Sequence, residues 1–129
     1  MNIEHITLET SDTFSTLFDK VVEVHKKLFP DATLQSQCDK YDEEYEEFDN
    51  ADDGEEVCYE YADMFIVAAG ISRFNKHLGE YLSQLMVKSL GDSSKMRMEF
   101  AEAIVDKMNK NIDRKWNNNN GLYKHTTIN

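Results

Sequence analysis

Apolar residues recur at steps of three and four along most of this chain, a period that predicts helices rather than strands. Residues 1–9, with Ile3, Ile6 and Leu8, settle no period and read as an extended lead-in. Ser11 then offers an N-cap with Asp12 in the first turn. Phe14, Leu17, Val21, Val24 and Leu28 form one stripe, widened by Phe18 and Val22, and Pro30 stops this first helix. A second is expected from about Ala32 to Asp52, with the stripe Leu34, Cys38, Tyr41, Tyr45 and Phe48 and a C-cap signal at Asp52-Asp53-Gly54. A third runs from about Glu55 to Phe74 on Val57, Tyr61, Met64, Ala68 and Ile71, with Ala68, Ala69 and Gly70 small enough for close helix contact. Leu78, Tyr81, Leu82, Leu85, Met86 and Leu90 mark a shorter fourth helix over 78–90, ended by Gly91. Ser93 or Ser94 caps a last helix to about Trp116, with Met96, Phe100, Ala103 or Ile104, and Met108 inside. Asn117 to Asn120 reads as a polar break and Gly121 to Asn129 as a short tail. The pattern predicts an all-α bundle of four to five helices in one domain, residues 1–129, with 1–9 and 117–129 peripheral.

Composition agrees and removes whole classes of function. A chain of 129 residues with 40% hydrophobic content, one Pro and five Gly suits one helical core and lacks the turn residues of a sandwich or barrel. Its formal net charge of −11 would repel nucleic-acid phosphates and anionic membranes, so neither is expected as a partner. The longest apolar run, Met64 to Gly70, is far short of the ~20 residues that span a bilayer. Cys38 and Cys58 form no CxxC, and with no signal peptide a reduced, cytoplasmic protein is expected.

The acids change the picture. Thirteen of the 25 acidic residues lie between Asp39 and Asp63. An acidic run is ordinarily a solvated helix face. Here the spacing singles out two pairs, Glu44/Glu47 and Glu60/Asp63, each at i,i+3. At about 100° per residue, Glu44 and Glu60 each fall near −60°, and Glu47 and Asp63 near −120°, from their own helix's apolar stripe. Two antiparallel helices joined by a short turn bring such same-handed flanks to one side. Both pairs are centred about 12 Å from a pivot at Asp53–Gly54. Four convergent carboxylates need protons or divalent cations to compensate them. An all-oxygen set favours Mg²⁺, with Mn²⁺ as substitute, and leaves coordination positions for water and substrate phosphates. A di-iron bundle would need Glu-x-x-His pairs, and none of His5, His25, His77 and His125 follows a Glu in that way. An EF-hand beginning at Asp49 would put Ala51 and Val57 where side-chain oxygens belong.

Glu43-Glu44-Tyr45-Glu46-Glu47, followed after twelve residues by Glu60-Tyr61-Ala62-Asp63, resembles the EExxE…ExxD signature of the all-α nucleoside triphosphate pyrophosphatases. This superfamily contains MazG proteins, dimeric-type dUTPases, dCTP pyrophosphatases and phosphoribosyl-ATP pyrophosphatases. Residues 107–114 are similar to its KxxxNxxR segment, with Lys107, Asn111 and Arg114 at i, i+4 and i+7. Arg114-Lys115-Trp116, Gly121 and His125 are similar to the tail of MazG-like enzymes acting on dATP and dGTP. The resemblance implies Mg²⁺-dependent hydrolysis of a nucleoside triphosphate to monophosphate and pyrophosphate, in nucleotide-pool sanitation or dNTP control. Glu44, Glu47, Glu60 and Asp63 would bind the metal, Glu43 or one of the ligands would orient the attacking water, and Lys107, Asn111 and Arg114 would hold the phosphates. It implies a homodimer or homotetramer. Gly70 to Ile104 is longer than in the simplest members, so the added helix reshapes the base pocket or the subunit interface. The competing reading is a non-enzymatic acidic helical module that binds nucleotides or a partner protein. Trp116 and the tyrosines are candidates for stacking on a base or for packing, and His125 for a structural role.

Overall fold

Five helices and one hairpin make up residues 2–125, the part of the chain that the computed structural model describes. The helices are α1 (Phe14–Leu28), α2 (Leu34–Asp49), α3 (Gly54–Ser72), α4 (Lys76–Ser89) and α5 (Ser94–Asp113). Strands β1 (Trp116–Asn119) and β2 (Leu122–His125) pair antiparallel. The fold is the all-α bundle the periodicity implies, with a small appended hairpin. None of these helices is long and apolar enough to cross a membrane.

The centre is α3, against which α1, α2, α4 and α5 all pack. From Ala62 to Ile71 every residue except Asp63 is buried. A helix apolar on nearly all sides is stable only when surrounded. Phe65 sits at its middle and meets the rings of Phe14, Phe18 and Phe100 edge-on, with centroids 5.5–6.4 Å apart. Side-chain caps begin each helix. Thr13 and Thr33 form capping boxes with Thr16 and Ser36, while Asp53, Asn75 and Ser93 accept from the backbone N–H groups of Glu56, Leu78 and Met96.

Several boundaries differ from expectation. The first helix starts after Thr13, not Ser11, because the Asp12 carboxylate is committed to the Glu9 N–H and Lys20 Nζ, each at 2.7 Å. Asp52-Asp53-Gly54 does not end α2, which closes on Asn50; Asp53 caps α3 and Gly54 is its first residue. The turn therefore centres nearer Ala51–Asp52 than the expected pivot at Asp53–Gly54. That moves the two helices by several residues, ~1.5 Å each, relative to the expected level.

The stripes of α2 and α4 are not their most buried lines. In α2, Ser36, Gln37 and Glu44 are buried, while Tyr45 is 53% exposed. In α4, Gly79, Ser83 and Met86 face inward, while Tyr81 is 58% exposed. α1, α3 and α5 bury the middle of their predicted stripes, while Phe14, Leu28, Val57 and Tyr61 are half-buried and Met96 is exposed.

Described residues at both ends pack onto the bundle. Ile3, Ile6 and Leu8 pack against the core, and Ile6 exchanges two hydrogen bonds with the Asn109 side chain, at 2.8 and 3.0 Å. The last helix stops at Asp113, short of Trp116, as Arg114 turns extended. Trp116 opens the hairpin, whose two-residue loop is Asn120-Gly121, both at positive φ (54° and 90°). That is the favoured Asn-Gly hairpin turn. Phe29, just after α1, packs against Trp116 and Tyr123 at 4.8 and 5.0 Å. The Asp31 N–H donates to the Tyr123 hydroxyl and Asn118 Nδ2 donates to the Asp31 carboxylate. The rest of the expected tail, residues 126–129, lies outside the described residues.

Candidate functional site

Three glutamates meet between α2 and α3. One carboxylate oxygen from each of Glu44, Glu47 and Glu60 lies within 4.8 Å of the others, so this cluster could hold a metal ion. Glu44 and Glu47 share a face of α2 through their i,i+3 spacing, and Glu60 approaches from the first half of α3. Asp63, expected as the fourth member, is instead 3.1 Å from Lys107 Nζ on α5. Asp63 still lines the same cavity, and its charge bears on Glu44.

The electrostatics are those of a site short of positive charge. Glu44 is only 9% exposed, and Glu44 Oε2 and Glu60 Oε2 are buried with no hydrogen-bond partner. A buried carboxylate left in this state resists ionising. Burial first, then the charges of Asp63 and Glu47, push the Glu44 carboxyl up to about 8. Burial, followed by Glu47 and Asp63, pushes Glu60 up to about 7, with Lys107 opposing. Asp63 is also raised, because burial outweighs the cations Lys107 and Arg114 beside it.

All eight residues singled out from the sequence line one cavity: Glu43, Glu44, Glu47, Glu60, Asp63, Lys107, Asn111 and Arg114. Glu43 stands at its edge, 3.9 Å from Lys40 Nζ. Asn111 is buried and accepts from Arg114 Nη1 at 3.3 Å, so the two act as one unit. Trp116 Nε1 donates to the Asn111 carbonyl at 2.8 Å, which ties the hairpin to the end of α5. Trp116 thus both packs and lines the cavity. His125 stands opposite Trp116, and burial with the charges of Arg114, Lys40 and Lys107 lowers its pKa.

The sequence reading missed part of the lining. Lys40, Gln37, His25 and Phe29 border the same cavity, beside Tyr123, one of the tyrosines expected to stack or pack. Lys40 and Gln37 precede Glu44 by one and two helical turns, so helical spacing alone could have found them. His25, Phe29 and Tyr123 come from distant segments, and only the packing of α1 and the hairpin brings them in. Comparison with family models, with curated proteins and with solved structures gives no match for this chain.

Proposed function

We propose that the protein is a Mg²⁺-dependent nucleoside triphosphate pyrophosphohydrolase, related to the all-α superfamily its EExxE…ExxD pattern resembles. The observation that carries this reading is the pair of orphaned oxygens, Glu44 Oε2 and Glu60 Oε2, inside a three-glutamate cluster bordered by cations. Such oxygens fit a hard divalent cation, which would satisfy them and compensate their charge together. An all-oxygen donor set suits Mg²⁺ or Mn²⁺ better than Zn²⁺. Bound there, Mg²⁺ would supply charge screening for the polyphosphate and a lowered pKa for a coordinated water.

The chain's own residues supply the rest. Lys107, held by Asp63 on one side, presents a cation to the phosphates, and Asn111 steadies the Arg114 guanidinium for the same work. Glu43 is assigned the proton of the attacking water. The new bond forms at the α-phosphorus as the bond to the leaving pyrophosphate breaks. The cavity holds about 210 Å³, less than the ~300 Å³ of a pocket enclosing a drug-sized ligand, so part of the nucleotide would remain outside it.

The test is a panel of ribo- and deoxyribonucleoside triphosphates with Mg²⁺ and detection of pyrophosphate. Release from at least one, abolished by chelation, is expected; a folded protein that releases none from any overturns the reading. The same resemblance implies a homodimer or homotetramer, which sedimentation measures.

A further inference from the structure

At the end of the cavity away from the carboxylates lies a buried chain of hydrogen bonds with a fixed direction. Arg73 Nη1, from the end of α3, contacts His25 Nδ1 at 2.9 Å. A guanidinium can only donate, so Nδ1 accepts and the imidazole proton sits on Nε2. That Nε2–H faces Gln37 Oε1 at 3.0 Å and donates to it. The amide of Gln37 is thereby oriented: its oxygen is taken by His25 and its NH₂ is left over. Gln37 is 5% exposed and lines the cavity, and His25 is 2% exposed. Among the described residues, the Gln37 side chain makes no other hydrogen bond. A rotation of the amide would set its NH₂ against the His25 N–H, so the orientation cannot reverse. Burial, then the charge of Arg73, pushes the His25 pKa down to about 3, and the ring stays neutral at working pH.

The fold makes room for this pair. A Cβ at Gly70 would lie 2.2 Å from Gln37 Oε1 and 2.5 Å from His25 Nε2, so only glycine on α3 admits it. Gln37 and Glu44 share one face of α2, two turns apart, about 10 Å along the axis at ~1.5 Å per residue. That is the reach of a nucleoside from its α-phosphate. Lys40, Lys107 and Arg114 border the cavity with the carboxylates, and Phe29, Trp116 and Tyr123 add aromatic surface to its lining. Aromatic faces suit a nucleobase.

We propose that Gln37 reads the base of the bound nucleotide as a fixed amide N–H donor, favouring bases with a carbonyl acceptor over bases with an amino group at that edge. The inference rests on the nucleotide reading for the ligand, but it uses different residues from the metal cluster. An amino group there would set donor against donor, and a site built to hydrogen-bond one partner rejects its mismatch strongly. Guanine, uracil and thymine are the expected class; adenine and cytosine are disfavoured. His25 and Arg73 are positioning residues, acting through Gln37.

Trp116, the single tryptophan, lines the cavity and reports base binding without turnover. Guanosine and uridine monophosphates, titrated without Mg²⁺, should quench its fluorescence at about tenfold lower concentration than adenosine and cytidine monophosphates. Gln37→Glu keeps an acceptor toward His25 and turns the cavity-side donor into an acceptor, so it should reverse that order. Gln37→Met should level it, and serves if the Glu variant fails to fold by circular dichroism. An order left unchanged by either folded variant, or no quenching by any monophosphate, overturns the inference. Pyrophosphate release, assayed in parallel, separates the two readings. Ranked quenching without release sinks catalysis alone; release with a ranking indifferent to Gln37 sinks the role of Gln37 alone.

Discussion

Two hollows flank the α2–α3 pair, and they are opposites. One is the acidic cavity around Glu44, Glu47 and Glu60. The other is a groove of about 530 Å³ between α2, α3, α4 and the start of α5, walled by Tyr41, Tyr45, Phe48, Tyr61 and Leu85. Neighbours in sequence are divided between them. Glu44 is 9% exposed, and Tyr45, the next residue, is 53% exposed. Transfer energetics alone would place the tyrosine inside and the carboxylate outside. The inversion is what the proposed metal site would require of the inner line of α2. Function that requires a strained, poorly compensated site commonly costs stability in this way.

The comparison breaks or holds on measurable differences. The largest expected effect is on turnover. Glu44→Ala or Glu60→Ala should lower pyrophosphate release at least ~100-fold, as loss of a ligand interaction does, with helical circular dichroism retained. Phe48→Ala, in the groove, should leave most of it. Retained turnover in either glutamate variant would refute the site.

Next comes stability without metal. Phe65→Ala, in the fully buried core, should cost about 3–5 kcal/mol in denaturant unfolding. Glu44→Gln should do the reverse at pH 8.5 and raise the melting temperature, since it removes a buried charge while keeping the shape. It should also abolish the stabilisation by Mg²⁺ expected of the parent chain. A lowered melting temperature for that variant would mean that Glu44 has a partner the orphaned oxygen denies.

pH is a third lever. The folded values of about 8 for Glu44 and about 7 for Glu60 lie above the ordinary 4.5. Between those limits the folded chain keeps protons that the unfolded chain has released, so stability without metal falls as pH rises from about 4.5 to about 8. Mg²⁺ displaces those protons and should flatten or reverse the slope. Thermal melts across that window, with Mg²⁺ and with chelator, check both signs. A metal-free curve that rises through the window would contradict the picture of buried, uncompensated carboxylates.

The smallest effects fall outside both hollows or on their rims. Tyr45→Ser should change unfolding free energy by no more than about 0.5 kcal/mol, because the ring is largely exposed. Asp49→Ala should leave turnover unchanged; a large loss accompanied by loss of calcium affinity would revive the calcium loop.

Much of this was written in the sequence. Stripes of period three to four locate all five helices, because an apolar face must be buried and a helix repeats every 3.6 residues. The i,i+3 carboxylates place Glu44 and Glu47 on one face and Glu60 opposite them, since geometry within a helix is local. The hairpin was legible too, in Asn120-Gly121, but a run of four asparagines reads as a break when no apolar alternation surrounds it.

What the sequence could not settle is which face of a helix the rest of the chain leaves open. Tyr41, Tyr45 and Phe48 of the α2 stripe border the groove. Asp63 pairs with Lys107 across helices far apart in sequence, a contact that only the packing of α3 against α5 provides. Gln37 gains its direction only because Gly70, His25 and Arg73 converge on it from α1 and α3. By itself the sequence determined the helices and the residues each could offer, through periodic burial and local spacing. The tertiary structure alone decided which offered groups meet, because register, desolvation and hydrogen-bond direction belong to pairs of elements and not to any one of them.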